Sequence, residues 1–170
     1  MVVIFSSRKS VTESEIIKIL TSCGGEYISD NRIFSSDGKF TVISEYKKTE
    51  LSVKNAIALL LDNSERFNGQ RFPQGITGLC ENTNRNAIDI LSQSNIPVIS
   101  CGMDGRNTVT ASSISENSVM LTLQRRIKDR LGNDIEPGEY LIKLFHSYST
   151  FSVLAGAIIL LYEGITPTAF

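Results

Sequence analysis

The sequence predicts a three-layer, Rossmann-like α/β fold whose sheet is mostly parallel and carries an appended antiparallel hairpin. Two observations lead to this prediction. Apolar, β-branched segments alternate with amphipathic helical segments, as they do in β-α-β units, and two alternating segments late in the chain have no helix between them. The 170 residues fit a single domain over residues 1–170, because domains cluster near ~100–150 residues.

The chain opens with a predicted strand and helix. Residues 2–5 are continuously apolar, which indicates a buried strand. Ser10 and Glu13 have capping-box spacing, in which the hydroxyl and the carboxylate each bind a free amide of the first helical turn. Apolar residues then recur at helical spacing until Gly24 and Gly25, which end the helix because glycine tolerates a left-handed conformation.

A β-hairpin is predicted next, formed by residues 32–34 and 39–43. The turn between the two segments contains Asp37 and Gly38. An Asp-Gly pair supplies the positive φ angles that a tight hairpin turn needs.

The middle of the chain predicts a β-α-β unit. Residues 56–61 are apolar throughout, which fits a central strand or a helix end equally well, and the polar residues 63–74 predict a loop. Residues 75–80 then predict a strand, 81–84 a polar cap before a short amphipathic helix, and 96–101 a second strand. Such a unit forms a parallel, right-handed crossover.

The last third of the chain has a different pattern. Residues 108–112 predict a strand, and the alternating segments 119–123 and 140–144 predict an antiparallel pair. The long polar connection 128–138 joins that pair. Residues 150–163 are apolar nearly all round, which is typical of a helix buried on several sides.

Charge and composition exclude several functional classes. Seventeen basic and eighteen acidic side chains give a net charge of -1, so we expect no nucleic-acid partner. The single histidine, His146, excludes a metal site built on several histidines, and we expect neither a metal nor a cofactor. The basic cluster Arg125, Arg126, Lys128 and Arg130 has no interleaved aromatic residues and predicts a solvated hairpin tip.

The cysteines and the apolar segments predict a cytoplasmic protein. Cys23, Cys80 and Cys101 are odd in number and form no C-x-x-C pair, as expected of reduced, buried thiols. The apolar start is too short for a signal peptide. The longest apolar run, 151–162, is about half of the ~20 residues that cross a bilayer, so we expect no membrane segment.

Two polar loops at the ends of consecutive strands form the predicted ligand site. In open α/β sheets, ligands bind outside the carboxyl ends of parallel strands. An alternative is ordinary helix capping, because Asn and Thr are favoured there in any case. The candidate ligand-binding residues in these loops are Glu81, Asn82, Thr83, Asn84, Cys101, Gly102, Asp104, Arg106 and Asn107.

Enzymatic alternatives use some of the same residues. Cys101 at a strand end is a candidate nucleophile with His146 as its base, and Glu81 is a second candidate catalytic residue. Asp62 and Glu81 each follow a predicted strand and are a conceivable carboxylate pair. Neither G-x-x-x-x-G-K-[ST] nor G-x-G-x-x-G occurs, so the usual triphosphate-binding loop is absent from the sequence.

Three short segments carry a family resemblance. Residues 79–82 and 100–102 end two consecutive strands, and residues 145–152 precede the apolar helix, which ends at Gly164-Ile165. In order and position they resemble the N-x-D-D-like, aromatic-glycine and P-G-x-H-N-x-x-N motifs of the central domain of the Mur ligase family. These are ATP-dependent ligases of peptidoglycan precursor synthesis. The resemblance covers residues 75–170.

The resemblance implies a bacterial, Mur-ligase-like domain without the family's chemistry. The histidine and two asparagines that help the family hold adenine fall on Tyr148, Ser149 and Ser152. Tyr148 can still stack on a ring, so it joins the candidate ligand-binding residues. The family's phosphate loop and C-terminal domain have no counterpart in the sequence. We therefore expect a non-catalytic relative that binds a small molecule or a protein partner.

A third hypothesis is a homo-oligomeric structural or interaction protein. The apolar helix predicted over residues 150–163 needs a cover, and a second subunit could supply it. This leads us to expect a homodimer as one possible assembly.

Overall fold

The computed structural model describes residues 1–6, 10–30, 32–35, 38–47, 50–61 and 67–170. Over these residues it contains a ten-stranded sheet, a two-stranded sheet and three helices. The helices are α1 Val11–Ser22, α2 Arg85–Ser92 and α3 Thr150–Tyr162. The strands are β1 Val2–Phe5, β2 Gly25–Ser29, β3 Arg32–Phe34, β4 Phe40–Glu45, β5 Ala56–Leu60, β6 Ile76–Glu81, β7 Val98–Gly102, β8 Val109–Ser115, β9 Ser118–Leu123, β10 Ile127–Lys128, β11 Asp134–Ile135 and β12 Gly138–Lys143.

The large sheet is parallel in its middle and antiparallel at both ends. Its strand order is β12-β9-β8-β7-β6-β5-β1-β4-β2-β3. Neighbours from β8 to β2 pair in parallel, whereas β3 pairs antiparallel with β2 at one edge. At the other edge β8, β9 and β12 pair antiparallel, with Tyr140 opposite Leu121. The predicted mostly parallel sheet with an appended antiparallel pair is confirmed.

Helices cover both faces of the sheet, which gives three layers. Alternate residues of one strand point to opposite faces. Val2 and Ile4 of β1 pack into the cluster that contains α1 and α3, whereas Val3 and Phe5 pack into the cluster that contains α2. Both faces of the central strands are therefore buried, which explains why β1 and β5 are apolar at every position.

The β-α-β unit of β6, α2 and β7 is confirmed. β6 and β7 pair in parallel, with Glu81 opposite Cys101. Gly78 of β6 permits α2 to pack closely, since a Cβ there would lie 2.7 Å from a methyl carbon of Leu91. The ambiguous segment 56–61 is a central strand, β5, and it pairs with both β1 and β6.

The predicted hairpin of residues 32–34 and 39–43 is wrong. β3 pairs antiparallel with β2, and β4 lies between β1 and β2, parallel to both. The physical reason lies in burial: alternate residues of β4 are buried, whereas the three residues of β3 are exposed and suit an edge. Ser36 and Asp37 of the predicted turn lie outside the described residues.

The predicted capping box at the start of α1 is half right. The Ser10 hydroxyl accepts a hydrogen bond from the Glu13 amide at 3.0 Å, as predicted. The Glu13 carboxylate does not reach back to the cap. It accepts hydrogen bonds from the hydroxyls of Ser44 at 2.6 Å and Tyr46 at 2.9 Å, so it ties α1 to the end of β4.

Helix α3 is buried within its own chain. All of its residues from Ser152 to Tyr162 are buried, and it packs on α1 and on the sheet. Residues of the same chain therefore bury this apolar helix. A homodimer stays a prediction, but an exposed apolar helix no longer supports it. Among the described residues, no helix combines the length and apolar character that crossing a membrane requires.

Candidate functional site

A small pocket lies where the carboxyl ends of β6 and β7 meet the first turn of α3. Its volume is about 250 Å³. We call it the strand-end pocket. It is lined by Glu81, Asn82, Thr83, Gly102, Met103, Asp104, Thr150, Phe151 and Leu154.

Gly102 forms the tightest part of this pocket. A Cβ at this position would lie 2.5 Å from Oδ1 of Asn82 and 2.8 Å from Nδ2 of Asn107. The two loops are also joined directly, since the Asn82 amide donates to the Cys101 carbonyl at 2.9 Å. The Asn107 side chain is buried and donates to the Asp104 carbonyl at 2.7 Å, which fixes the second loop. Asn107 thus packs beside Gly102 but does not itself line the pocket.

The two acidic side chains of the pocket differ in their partners. Asp104 binds Arg106, whose guanidinium lies 2.6 Å and 2.9 Å from Oδ2. These hydrogen bonds hold the pKa of Asp104 below its usual range, so it stays ionised at neutral pH. Among the described residues, the Glu81 carboxylate has no partner and no basic side chain lines the pocket. Glu81 is therefore the acceptor that remains available to a ligand.

The two cysteines at the strand ends are not available as nucleophiles. Cys101 is fully buried beneath the pocket, and burial raises its pKa far above that of a free thiol. Burial also raises the pKa of Cys80, to about 12. A thiolate is the nucleophilic form, so this geometry does not favour the hypothesis of a Cys101-His146 pair.

Asn84 occupies a capping position and does not line the pocket. Its side-chain oxygen accepts from the Ala87 amide at 3.1 Å, and its side-chain nitrogen donates to the Leu61 carbonyl at 3.0 Å. This is the helix-capping alternative, and it applies to Asn84 rather than to the whole loop. Asp62, the other half of the carboxylate pair suggested with Glu81, lies outside the described residues.

Tyr148 lies in a different cavity from the other candidates. An open groove of about 1060 Å³ runs beside α1, and its aromatic lining consists of Phe34, Phe145, His146, Tyr148 and Phe170. The rings of His146 and Tyr148 meet edge to face, with centroids 6.0 Å apart. We call this cavity the aromatic groove.

Ser149 and Ser152, two of the three positions that the family resemblance relates to adenine binding, make helix contacts instead. The Ser149 side chain caps α3 by accepting from the Ser152 amide at 3.2 Å, and its hydroxyl donates to the Glu15 carboxylate of α1 at 2.9 Å. Partial burial acts to raise the pKa of Glu15, but hydrogen bonds from Ser152 and Ser149 outweigh it and lower that pKa. These serines therefore join α1 to α3.

Residues of α3 in the strand-end pocket were missed by sequence reasoning. Thr150, Phe151 and Leu154 are far from the two loops in sequence. The signal that could have found them is the position of this helix directly after the last strand of the antiparallel region. Among the described residues, no group of three His, Cys, Asp or Glu side chains could hold a metal ion.

Solved structures with the same fold are Mur ligases. The chain is 12% identical to MurF from Acinetobacter baumannii, with a TM-score of 0.57, and the match covers 97% of this chain and 42% of that one. A murein peptide ligase from Psychrobacter arcticus 273-4 is 11% identical, with a TM-score of 0.60 and coverage of 98% and 44%. No protein-family model and no curated protein sequence matches the chain.

A third similar structure has a descriptive name. It is the UDP-N-acetylmuramate:L-alanyl-gamma-D-glutamyl-meso-diaminopimelate ligase from Neisseria meningitides, which is 13% identical with a TM-score of 0.60. The match covers 99% of this chain and 62% of that one, so the chain spans between 42% and 62% of the length of these structures. At such identities the likeness establishes a Mur-ligase-like fold.

Proposed function

We propose that this chain, which shares its fold with Mur ligases, binds a small molecule carrying a protonated amine in the strand-end pocket and catalyses no ligation. The observation that carries the proposal is the Glu81 carboxylate, which has no partner and no basic neighbour in the pocket lining within the part of the chain that the structure describes. A carboxylate that is half-buried and unpaired gains most from a cationic hydrogen-bond donor.

The size and the polar lining of the pocket support a small ligand. A volume of about 250 Å³ corresponds to about eight water molecules at liquid density. Thr83 offers a hydroxyl and Asn82 an amide beside Glu81, so a second polar group on the ligand would find a partner. An amino alcohol of a few carbon atoms has this chemistry.

Two features support a non-catalytic role. The sequence lacks the G-x-x-x-x-G-K-[ST] loop that cradles phosphates. The thiols of Cys80 and Cys101 are buried, with raised pKa values, so covalent catalysis through them is not favoured.

Titration of the ¹⁵N-labelled protein with ethanolamine tests the binding proposal. We expect the amide signals of Asn82, Gly102 and Asp104 to shift. The Glu81→Gln variant should bind about tenfold more weakly, because a charge-assisted hydrogen bond is lost. The matched control is Glu116→Gln, an exposed carboxylate in the β8–β9 turn, which should bind like the wild type.

Results of two kinds would overturn parts of this proposal. Equal affinity of Glu81→Gln and wild type, or shifts confined to the aromatic groove, would remove the amine site. Tight, magnesium-dependent ATP binding in calorimetry would remove the non-catalytic role. A dimer in light scattering would instead support the alternative of an interaction protein.

A further inference from the structure

A second cavity opens at the amino-terminal edge of the same parallel strands. It has a volume of about 630 Å³ and lies between the starts of β5, β6 and β7 and the β10–β11 hairpin. We call it the basic hollow, after the four basic residues in its lining, Arg125, Arg126, Lys128 and Arg130; Asp129, Asp134, Pro97 and Val98 line it as well. We propose that the basic hollow binds a small molecule that carries a phosphate or carboxylate group on an apolar body.

The hairpin that forms one wall is held in shape by its own turn. One oxygen of the Asp129 carboxylate accepts from the amides of Leu131 and Asn133, each at 2.8 Å. Its other oxygen accepts from the Asn133 side chain at 2.8 Å, and Gly132 takes a φ of +89° that closes the turn. The wall therefore has a defined geometry before any ligand arrives.

The hairpin is also anchored to the end of α3. The Arg130 amide donates to the Tyr162 carbonyl at 2.9 Å, and its side chain lies 3.3 Å from the Glu163 carboxylate. That carboxylate is only 2% exposed, so the ion pair is shielded on one side. Ile127 of β10 is buried against the main core. These contacts fix the basic side chains at the mouth of the cavity.

Within the described part of the chain, one cation of the hollow has no carboxylate partner. Lys128 and Arg126 both pair with Asp134, and Arg130 pairs with Glu163. Arg125 donates one hydrogen bond, to the Arg106 carbonyl at 3.1 Å, and has no acidic partner among the described residues. Its guanidinium has five N–H donors, so it can form a bidentate pair of hydrogen bonds with an anionic group.

The remaining lining explains why the ligand needs an apolar body. Pro97 and Val98 are exposed and contribute apolar surface to the cavity, whereas Ile76 is buried behind it. Tyr162 and Thr77 also line the cavity. A mostly apolar pocket with few placed polar groups is the usual form of a small-molecule site. This site is separate from the strand-end pocket, at the opposite ends of β6 and β7, and does not depend on the proposed function.

Titration of the ¹⁵N-labelled protein with phenyl phosphate tests this site. We expect shifts at the amides of Thr77, Val98 and Ile127, and weaker binding as sodium chloride is added. Arg125→Gln should weaken binding about 10-fold to 100-fold. Arg32→Gln is the matched control, since Arg32 is exposed on β3 at the far edge of the sheet, and should bind like the wild type.

Two further probes separate charge from shape. Benzoate should bind at the same amides if a carboxylate suffices, and neutral benzyl alcohol should bind at least about tenfold more weakly than phenyl phosphate. Equal binding of benzyl alcohol, unchanged affinity in Arg125→Gln, or no shift with either anion at about 10 mM would overturn the proposal. The chemical-shift changes of the wild-type protein can be interpreted even if a variant fails to fold. They are measured at amides other than those used in the ethanolamine experiment, so the two proposals can fail independently.

Discussion

The two ends of β6 and β7 carry cavities of opposite character. At the carboxyl end, the strand-end pocket contains the Glu81 carboxylate, which is unpaired and has no basic neighbour in the lining as far as the described residues go. At the amino end, the basic hollow contains the Arg125 guanidinium, which has no acidic partner in the described ranges, together with apolar surface from Pro97 and Val98. One pair of parallel strands therefore presents two sites that favour ligands of opposite charge.

The two cavities also differ in how the chain builds them. Most of the strand-end pocket comes from two loops that follow consecutive strands, so its residues are close in sequence. The basic hollow combines strand starts with a hairpin fixed by Arg130 to the end of α3. The first depends on local turn chemistry, whereas the second depends on tertiary anchoring. Arg106 connects the two cavities, since its carbonyl accepts from Arg125 and its guanidinium binds Asp104. Substitutions away from Arg106 should affect one cavity and leave the other intact.

The largest expected effect concerns the anchor of the basic hollow. Glu163→Gln removes a carboxylate whose side chain is 2% exposed and which pairs with two cations, the Met1 amino group at 2.7 Å and Arg130 at 3.3 Å. Both cations lose their partner, but Arg130 is 45% exposed and water screens part of that loss, so we expect the free energy of unfolding to fall by about 1–3 kcal/mol in urea denaturation.

Glu136→Gln is the control for that variant. Glu136 pairs with Arg126 of the same hairpin at 3.0 Å, but its side chain is 63% exposed. Loss of an exposed pair should cost less than about 0.5 kcal/mol. Equal losses in the two variants would mean that the hairpin is not anchored through Glu163.

The next effect concerns the strand-end pocket. In Gly102→Ala the new Cβ would meet the side chains of Asn82 and Asn107 at less than 3 Å, and Asn107 is held by its bond to Asp104. We expect a loss of about 1–3 kcal/mol in the free energy of unfolding, as for other overpacked sites. Phenyl phosphate binding at the basic hollow should persist.

Gly105→Ala is the matched control for overpacking, because nothing lies within 4 Å of a Cβ at that position. Its free energy of unfolding should stay within about 0.5 kcal/mol of the wild type. A loss in this control as large as that of Gly102→Ala would refute the close packing around Gly102.

The smallest effect is a pH dependence of the hairpin turn. Hydrogen bonds from Asn133 and neighbouring amides hold the pKa of Asp129 below its usual range. A lowered pKa in the folded state means that the turn is intact above the ordinary Asp pKa of about 3.9 and is lost as pH falls through the lower, folded value. The amide shifts of Leu131 and Asn133 should therefore be constant from neutral pH down to about 4 and change below it.

Asp129→Asn should abolish that transition, while far-UV circular dichroism verifies that the fold persists at each pH. A midpoint of the wild-type transition above about 4 would contradict the network of hydrogen bonds at Asp129.

Local signals were sufficient for the helices and for the β-α-β unit. Ser10, Asn84 and Ser149 each cap a helix, and Gly164 takes a φ of +80° directly after α3. These interactions join residues that are close in the sequence, so local sequence patterns can indicate them. The likeness to Mur ligases was also predicted, though from residues 75–170 alone, whereas the structural matches cover 97% of the chain or more.

Strand order could not be predicted in the first third of the chain. The strand β2 follows the end of α1 directly and has mixed polarity. No hydrophobic pattern in the sequence therefore indicated a strand there. The Asp-Gly signal then favoured pairing of β3 with β4, whereas tertiary burial puts β4 between β1 and β2. Such pairings are set by the whole core rather than by a turn.

The candidate site was partly foreseen. Glu81, Asn82 and Asp104 were expected to lie together and do line one pocket, because consecutive parallel strands end at the same edge. Arg125 was assigned to a solvated hairpin tip, and its side chain is exposed. The cavity beneath it could not be foreseen, since it needs strand starts that are distant in sequence.

One NMR comparison tests most directly whether the two ends of β6 and β7 carry sites for ligands of opposite charge. The wild-type ¹⁵N-labelled protein is titrated in parallel with ethanolamine and with phenyl phosphate, and the amide shifts are mapped. The account predicts that ethanolamine shifts Asn82, Gly102 and Asp104, whereas phenyl phosphate shifts Thr77, Val98 and Ile127. Shifts from both probes at one common set of residues, or from neither probe, would contradict two sites of opposite charge at the two ends of these strands.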